Sequence, residues 1–351
     1  MAKRRVGKLQ AAFYILTVLG YVLHLGLSTS KFYFFSPRVT LKELVLRKQI
    51  SYSSALSIIV PVRIDVPDRL ENLRTSTAYL RKHFPYAEMI MVECDESSTV
   101  PDDVKSLFDE VLFVALHGPF AKSRAMNLGL LRARRPVVAF YDVDVLVHPS
   151  AARWAVRQIL TKRFPLVLPF SGVFVDVSGA RRREMILQLE VGRLALESVR
   201  EINAKPDCTA RIVDGGVFFA DREVMIVEGG YNARMISYGW EDIEVLRRFE
   251  QLGYYRAYAK ENLIHLDHAR GPDSVKNEYT DRNRDEYERV KQMSRAKLRT
   301  YVINDLAIAH GPDIDRLRHE VRARKSRSNF GPTRVAALVS KIASRIRHGS
   351  G

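Results

Sequence analysis

Residues able to do chemistry gather in a few short stretches of this chain. Pro136-Val-Val-Ala-Phe-Tyr-Asp-Val-Asp144 is an apolar run that reads as a buried strand and ends on two carboxylates, Asp142 and Asp144, spaced i and i+2. Two oxygen donors held one residue apart at a strand end can grip a hard divalent cation and leave its other positions for phosphate oxygens and water. The plainer alternative is a turn, because Asp commonly follows a strand. Asp214-Gly-Gly216 would let backbone approach a ligand closely. Tyr231, Tyr238 and Trp240 offer flat apolar faces on which a ligand ring could stack. Glu241 and Asp242 stand where a helix begins, where acids are also favoured by the macrodipole. His265-Leu-Asp-His268 adds two imidazoles.

These stretches need elements to hold them. Leu56 to Arg63 reads as a first strand, Pro67 to Phe84 as a helix, Ala87 to Asp95 as a second strand and Pro101 to Asp109 as a short helix. Val111 to Leu116 is a third strand, Lys122 to Arg134 a helix opened by Ser123, and the strand ending on Asp142 follows. Alternation of this kind implies right-handed βαβ units and a mostly parallel sheet, with strand ends at Arg63, Asp95 and Asp142 on one rim. Beyond it the expectations are a helix over Pro149–Lys162, a strand pair or extended run over Leu166–Val177 and a long helix over Arg181–Asn203. A strand over Asp214–Ala220, a Glu228-Gly-Gly-Tyr231 turn, a helix running to Leu252 and a final strand over Tyr254–Tyr258 complete the reading. The fold class is α/β, a mixed and mostly parallel sheet flanked by helices. One large domain over residues 55–310 is expected, in successive stretches of 55–148, 149–270 and closing helices over 271–310.

Charge is concentrated at the ends. Residues 1–50 hold 9 Lys/Arg against 1 acid and residues 311–351 hold 10 against 3, whereas residues 51–310 hold 37 against 36. A near-neutral body argues against a nucleic-acid partner, and basic ends suit an anionic membrane surface. Leu9 to Ser30 is 22 residues without a formal charge, enough for one membrane segment, followed by a linker over residues 31–54. In the basic tail, Val335, Leu338, Val339, Ile342 and Ile346 mark an amphipathic helix suited to a lipid surface. Two cysteines form no disulfide framework and no Asn-x-Ser/Thr sequon is present, so nothing demands an oxidising lumen. Membrane association is the expectation, with the body on the cytosolic face favoured over a Golgi-type lumen.

Taken in order, the Val-Pro-Val-Arg strand, the acidic second-strand end, Ser123-Arg-Ala-Met-Asn-Leu-Gly129, Asp142-Val-Asp144, Asp214-Gly-Gly, Tyr238-Gly-Trp-Glu-Asp242 and His265-Leu-Asp-His268 resemble the GT-A-fold (Rossmann-like) glycosyltransferases. The galactosyltransferase and chondroitin-polymerising branches are the most similar, over about Leu56 to Arg270, and the resemblance implies that residues 55–310 are a catalytic domain with a nucleotide-binding half (55–148) and an acceptor half (149–270). The resemblance implies that Pro61, Arg63, Asp95, Arg124, Asp142, Gly216 and Trp240 bind a UDP-sugar. It also implies that Asp142 and Asp144, with His265 or His268, hold Mn²⁺ or Mg²⁺, and that Asn127 fixes its helix against the metal strand. Asp242 is implied as the base and Glu241 as the acid holding acceptor hydroxyls. One glycine rather than two before Trp240 departs from the galactosyltransferases.

The function this implies is metal-dependent, inverting transfer of a hexose or N-acetylhexosamine of galactose or N-acetylgalactosamine type from UDP to a saccharide or glycoconjugate, as in polysaccharide biosynthesis. Two rivals remain at this level, a nucleotidyltransferase built on the same sheet and a non-catalytic sugar-binding or membrane scaffold.

Overall fold

The computed structural model describes residues 52–190 and 207–326. Leu9–Ser30, the tail helix from Val335 and the C-terminal half of the helix expected to reach Asn203 lie outside the described residues. Among those described, no helix is long and apolar enough to cross a membrane.

β1 (Leu56–Val62) is buried at every position, as a central strand covered on both faces must be. α1 (Pro67–His83) starts on a proline and carries Asp68 in its first turn and Arg81, Lys82 and His83 in its last, matching the helix dipole at both ends. β2 (Glu88–Asp95), α2 (Asp102–Lys105), β3 (Glu110–Ala115), α3 (Lys122–Arg132) and β4 (Val137–Tyr141) complete the first half. α2 is shorter than expected. Ser123 does not open α3: Ala121 is the N-cap, and the Ser123 hydroxyl is buried inside the first turn. Gly129 lets α3 lie directly on β1, since a Cβ there would stand 2.3 Å from Cγ2 of Ile59.

At Asp142-Val-Asp144 the chain leaves this sheet and, as β5 (Val145–Val147), enters a second one. α4 (Pro149–Leu160) then precedes β6 (Leu166–Leu168) and β7 (Val173–Val177), the expected strand pair, which divides between the two sheets. α5 (Gly179–Glu190) begins the long helix. β8 (Cys208–Ile212) precedes β9 (Val217–Asp221), and α6 (Arg222–Val227) precedes the glycine turn. Asp214-Gly-Gly216 lies ahead of β9 and not within it. α7 (Glu241–Gln251) begins at Glu241, β10 covers Arg256–Tyr258, and a further strand, β11 (Leu263–Leu266), carries His265. α8 (Glu278–Lys291), α9 (Arg295–Asn304) and α10 (Pro312–Ser326) follow.

The larger sheet has the order β10-β6-β9-β4-β1-β2-β3, and β9 alone runs against its neighbours. The expected mostly parallel sheet is present. The smaller sheet, β5-β11-β7-β8, was not expected from sequence: its strands are three to five residues long and pair across large separations. Buttressing from α1 fixes the crossing between sheets. Ser76 Oγ donates to the Val143 carbonyl at 2.7 Å and Asn72 Nδ2 to the Leu266 carbonyl at 2.8 Å, both from buried positions one turn apart.

Inside the α/β body Arg248 and Glu244 are completely buried one helical turn apart, with Nε 2.8 Å from Oε1. The same guanidinium donates to the carbonyls of Glu228 and Gly230, tying α7 to the glycine turn. Removing one partner of such a pair leaves an uncompensated buried charge. Arg248→Ala should therefore lower the unfolding free energy by about 3–5 kcal/mol in urea denaturation of the full chain. A loss below about 1 kcal/mol would show that the pair does not hold α7 in place.

Candidate functional site

The crossing between sheets separates the two carboxylates of the central motif. Asp142 leaves β4 opposite Gly216, whose carbonyl accepts its N–H at 2.9 Å. The chain then turns, and the Asp144 carbonyl accepts the N–H of Leu266, which places Asp144 beside β11. There His265, paired in register with Val145, presents Nε2 3.7 Å from Oδ1 of Asp144, and His268 presents Nε2 3.2 Å from Oδ2. All three side chains are buried, and their ligand atoms lie within 4.8 Å of one another.

The other nitrogen of each imidazole lies against an oxygen. His265 Nδ1 stands 2.7 Å from Oδ1 of Asp176 on β7, directly in register with it, and Arg211 holds Asp176 with two hydrogen bonds. His268 Nδ1 lies 2.7 Å from the Ala269 carbonyl. Both Nε2 atoms are thus free to face the Asp144 carboxylate, the pattern that outer-shell partners impose on metal-binding histidines.

The sequence left open which histidine would join Asp144, and the structure brings both. Asp142, expected as a fellow ligand, does not belong to this cluster. An i, i+2 pair shares a face only while the strand continues, and here the chain turns at Val143. Two imidazole nitrogens and one carboxylate suit a divalent first-row ion, Mn²⁺ among them, with open positions left over.

Asp142 turns instead to Lys122, the first residue of α3. Lys122 Nζ lies 3.0 Å from Asp142, 3.1 Å from Asp242 and 3.4 Å from Glu241. Burial opposes the ammonium's charge, but the three carboxylates outweigh it and push its pKa well above the usual value. Burial raises the pKa values of Asp142 and Glu241, and the neighbouring charge of Asp242 adds to both. Burial also works against the Asp144 carboxylate, but the charge of His265 and the hydrogen bonds of both histidines hold its pKa well below the ordinary range. The site crowds more negative charge than its cations offset, and a divalent ion would balance it.

Asp242 is gripped at both oxygens. Oδ2 takes Lys122 and the Gly216 N–H at 3.3 Å, and Oδ1 takes the Tyr231 hydroxyl at 2.9 Å. Gly215 is required for this approach, because a Cβ there would stand 2.7 Å from Oδ2. Trp240, the N-cap of α7, adopts a left-handed conformation at φ 75°, and its ring stacks on Tyr287 with centroids 5.1 Å apart.

These groups share one cavity of about 580 Å³, lined by Asp144, His265 and His268 and by Lys122, Glu241 and Asp242. Pro61, Asp142, Gly216, Tyr238 and Trp240 also line it. Other expected site residues stand apart from the lining. Arg63 bonds Asp273 at 3.0 Å and the Gly118 carbonyl at 2.7 Å and lies 3.7 Å from Asp95, so the two expected nucleoside-binding residues hold each other at the strand ends. Arg124 is exposed and reaches the Ala233 carbonyl. Tyr231, expected as a stacking face, is 1% exposed and packs inward.

Lys122, Asp176 and Asp273 went unnoticed in the sequence. Lys122 carried a signal in its place at the head of α3, whereas Asp176 looked like one polar residue in an alternating strand.

No family model matches the chain and no curated protein matches it. Among solved structures, glucosyl-3-phosphoglycerate synthase from Mycobacterium tuberculosis, in complex with Mn²⁺, UDP and phosphoglyceric acid, is 17% identical with a TM-score of 0.39, covering 67% of this chain and 78% of that one. The same enzyme in complex with phosphoglyceric acid is 18% identical with a TM-score of 0.41, covering 67% and 79%. Likeness at that level carries no argument, and the functional reading rests on the site itself.

Burial disfavours the charged His265 imidazole, but Asp144 and Asp176 outweigh it and raise the pKa to about 9. In the absence of metal this proton stabilises the fold fully below about pH 6.5, and the contribution is lost as the pH rises through about 9. A divalent ion would take the proton's place. The rise in Tm given by Mn²⁺ should therefore grow between pH 6.5 and pH 9. A rise that does not change over this interval would show that the ion binds elsewhere.

Proposed function

We propose that this chain is a metal-dependent, inverting glycosyltransferase that moves a hexose or N-acetylhexosamine, of galactose or N-acetylgalactosamine type, from a UDP-sugar to a hydroxyl of a saccharide or glycoconjugate. The observation that carries the reading is the meeting, in one cavity, of a His-His-Asp donor set with a Glu-Asp pair held at the head of a helix. A nucleotide sugar needs both a countercharge for its diphosphate and a carboxylate for the incoming hydroxyl.

Asp144, His265 and His268 would hold the cation, which supplies Lewis-acid charge against the departing diphosphate. Pro61, which lines the cavity at the end of β1, would border the nucleoside, with the Arg63–Asp95 pair just beyond it. Glu241 keeps Oε2 buried without a hydrogen-bond partner among the described residues, suited to accept from an acceptor hydroxyl. Asp242 would take that hydroxyl's proton as its oxygen bonds to the anomeric carbon and the bond from that carbon to UDP breaks. Attack from the face opposite UDP inverts the anomeric centre. Lys122 offsets the carboxylates that surround this step, and Trp240 and the exposed Tyr238 would border the acceptor. Attachment to a membrane at its cytosolic face belongs to the same reading, supported by the basic ends of the sequence.

Purified protein given Mn²⁺ and a panel of UDP-sugars should release UDP and no pyrophosphate, and Asp242→Asn should lower the rate at least ~10²-fold. Pyrophosphate as the product would assign a nucleotidyltransferase instead. Absence of turnover with every UDP-sugar, or full activity in Asp242→Asn, would refute the proposal.

A further inference from the structure

Tyr231 is buried behind Asp242, which lines the cavity, with its ring edge-on to Phe140 at 5.2 Å between centroids and 5.8 Å from Phe218. Its main chain is fixed by a single side chain: Asn127 Oδ1 accepts the Tyr231 N–H and Asn127 Nδ2 donates to the Tyr231 carbonyl, each at 2.8 Å. The preceding residue must be glycine for this to occur. Gly230 has φ +58°, and a Cβ there would stand 2.3 Å from Asn127 Oδ1. From the other side Arg248 holds the Gly230 carbonyl at 2.5 Å. Backbone and ring thus hold the phenol in place, and its hydroxyl donates to Oδ1 of Asp242 at 2.9 Å. Burial keeps the phenol protonated, with its pKa pushed well above the usual value.

We infer that Tyr231 is a positioning residue for Asp242: its hydroxyl occupies one lone pair of Oδ1 and turns the carboxylate so that the other faces the acceptor. This deepens the proposed function and rests on it. With Oδ2 already bonded to Lys122 and the Gly216 N–H, the Tyr231 bond is the contact that stops the carboxylate rotating about its own axis. In the transfer step the acceptor O–H proton passes to Asp242 while the acceptor oxygen bonds to the anomeric carbon and UDP leaves. An untethered carboxylate would meet that proton less often in a reactive orientation.

Tyr231→Phe removes one oxygen and leaves the ring packing intact. With Mn²⁺, a UDP-sugar and water as the acceptor, kcat for UDP release should fall roughly tenfold while KM for the donor stays unchanged. The double variant Tyr231→Phe/Asp242→Asn should be no slower than Asp242→Asn alone, because one loss already contains the other. A kcat within about twofold of the parent, or losses that multiply in the double variant, would overturn the inference.

A parent protein that turns over no UDP-sugar would refute the proposed function and leave the positioning role to a second measurement. In a crystal structure of Tyr231→Phe the Asp242 carboxylate should be rotated from its present orientation. A carboxylate left unmoved would overturn the positioning role by itself.

Discussion

The buried ammonium of Lys122 among Asp142, Glu241 and Asp242 is the interaction on which the rest of the site depends. It joins the first turn of α3 to the end of β4, 20 residues on, and to the first turn of α7, 120 residues on. Four carboxylates cannot be packed around one cavity without countercharge, because each loses hydration that only a neighbouring cation or donor can replace. Lys122 supplies that charge on one side, and the imidazoles facing Asp144 supply it on the other. Burial first, and the neighbouring Asp242 carboxylate second, push the pKa values of Asp142 and Glu241 up, and a cation in the cavity would favour their charged forms.

The division of labour between the two carboxylate clusters follows from the crossing between sheets. Had β4 continued straight through Val143, Asp142 and Asp144 would point the same way and compete for the same partners. The turn sends Asp142 to Lys122 and Asp144 to the histidines, and α1 holds the turn through Ser76 and Asn72. The smaller sheet fixes His265 of the candidate ligand set in place. His265 on β11 is flanked by β5, which follows directly from Asp144, and by β7, which carries Asp176. Small shifts in these pairings would move an Nε2 atom by as much as a metal–ligand bond tolerates.

Much of the first half was legible in sequence because continuous apolar runs and helical spacing are local signals. β1, α1, β2, α3 and β4 lie within a few residues of where periodicity placed them. The first-turn acids of α7 and the close approach at Gly215 and Gly216 were legible for the same reason, being matters of residue type at a helix start and a turn. The smaller sheet was not, since strands as short as Val145–Val147 and Leu263–Leu266 carry too few residues for alternation to register, and they form through pairing with distant segments. Tyr231 looked like a stacking surface because an aromatic beside glycines in a turn is usually exposed. Only the Asn127 contact and the Phe140 and Phe218 rings show why it turns inward. Lys122 was overlooked because a lysine at a helix start is ordinarily solvated, and its environment depends on carboxylates brought by two distant segments, the end of β4 and the first turn of α7.

The central claim is that Asp144, His265 and His268 together hold the cation that receives a nucleoside diphosphate. Anomalous diffraction at the manganese edge, from crystals grown with Mn²⁺ and UDP, tests it most directly. One strong peak is expected at about 2.0–2.3 Å from the Asp144 carboxylate and both Nε2 atoms, with diphosphate oxygens in its open positions. A peak on other residues, or UDP bound outside the cavity that Asp242 lines, would contradict it.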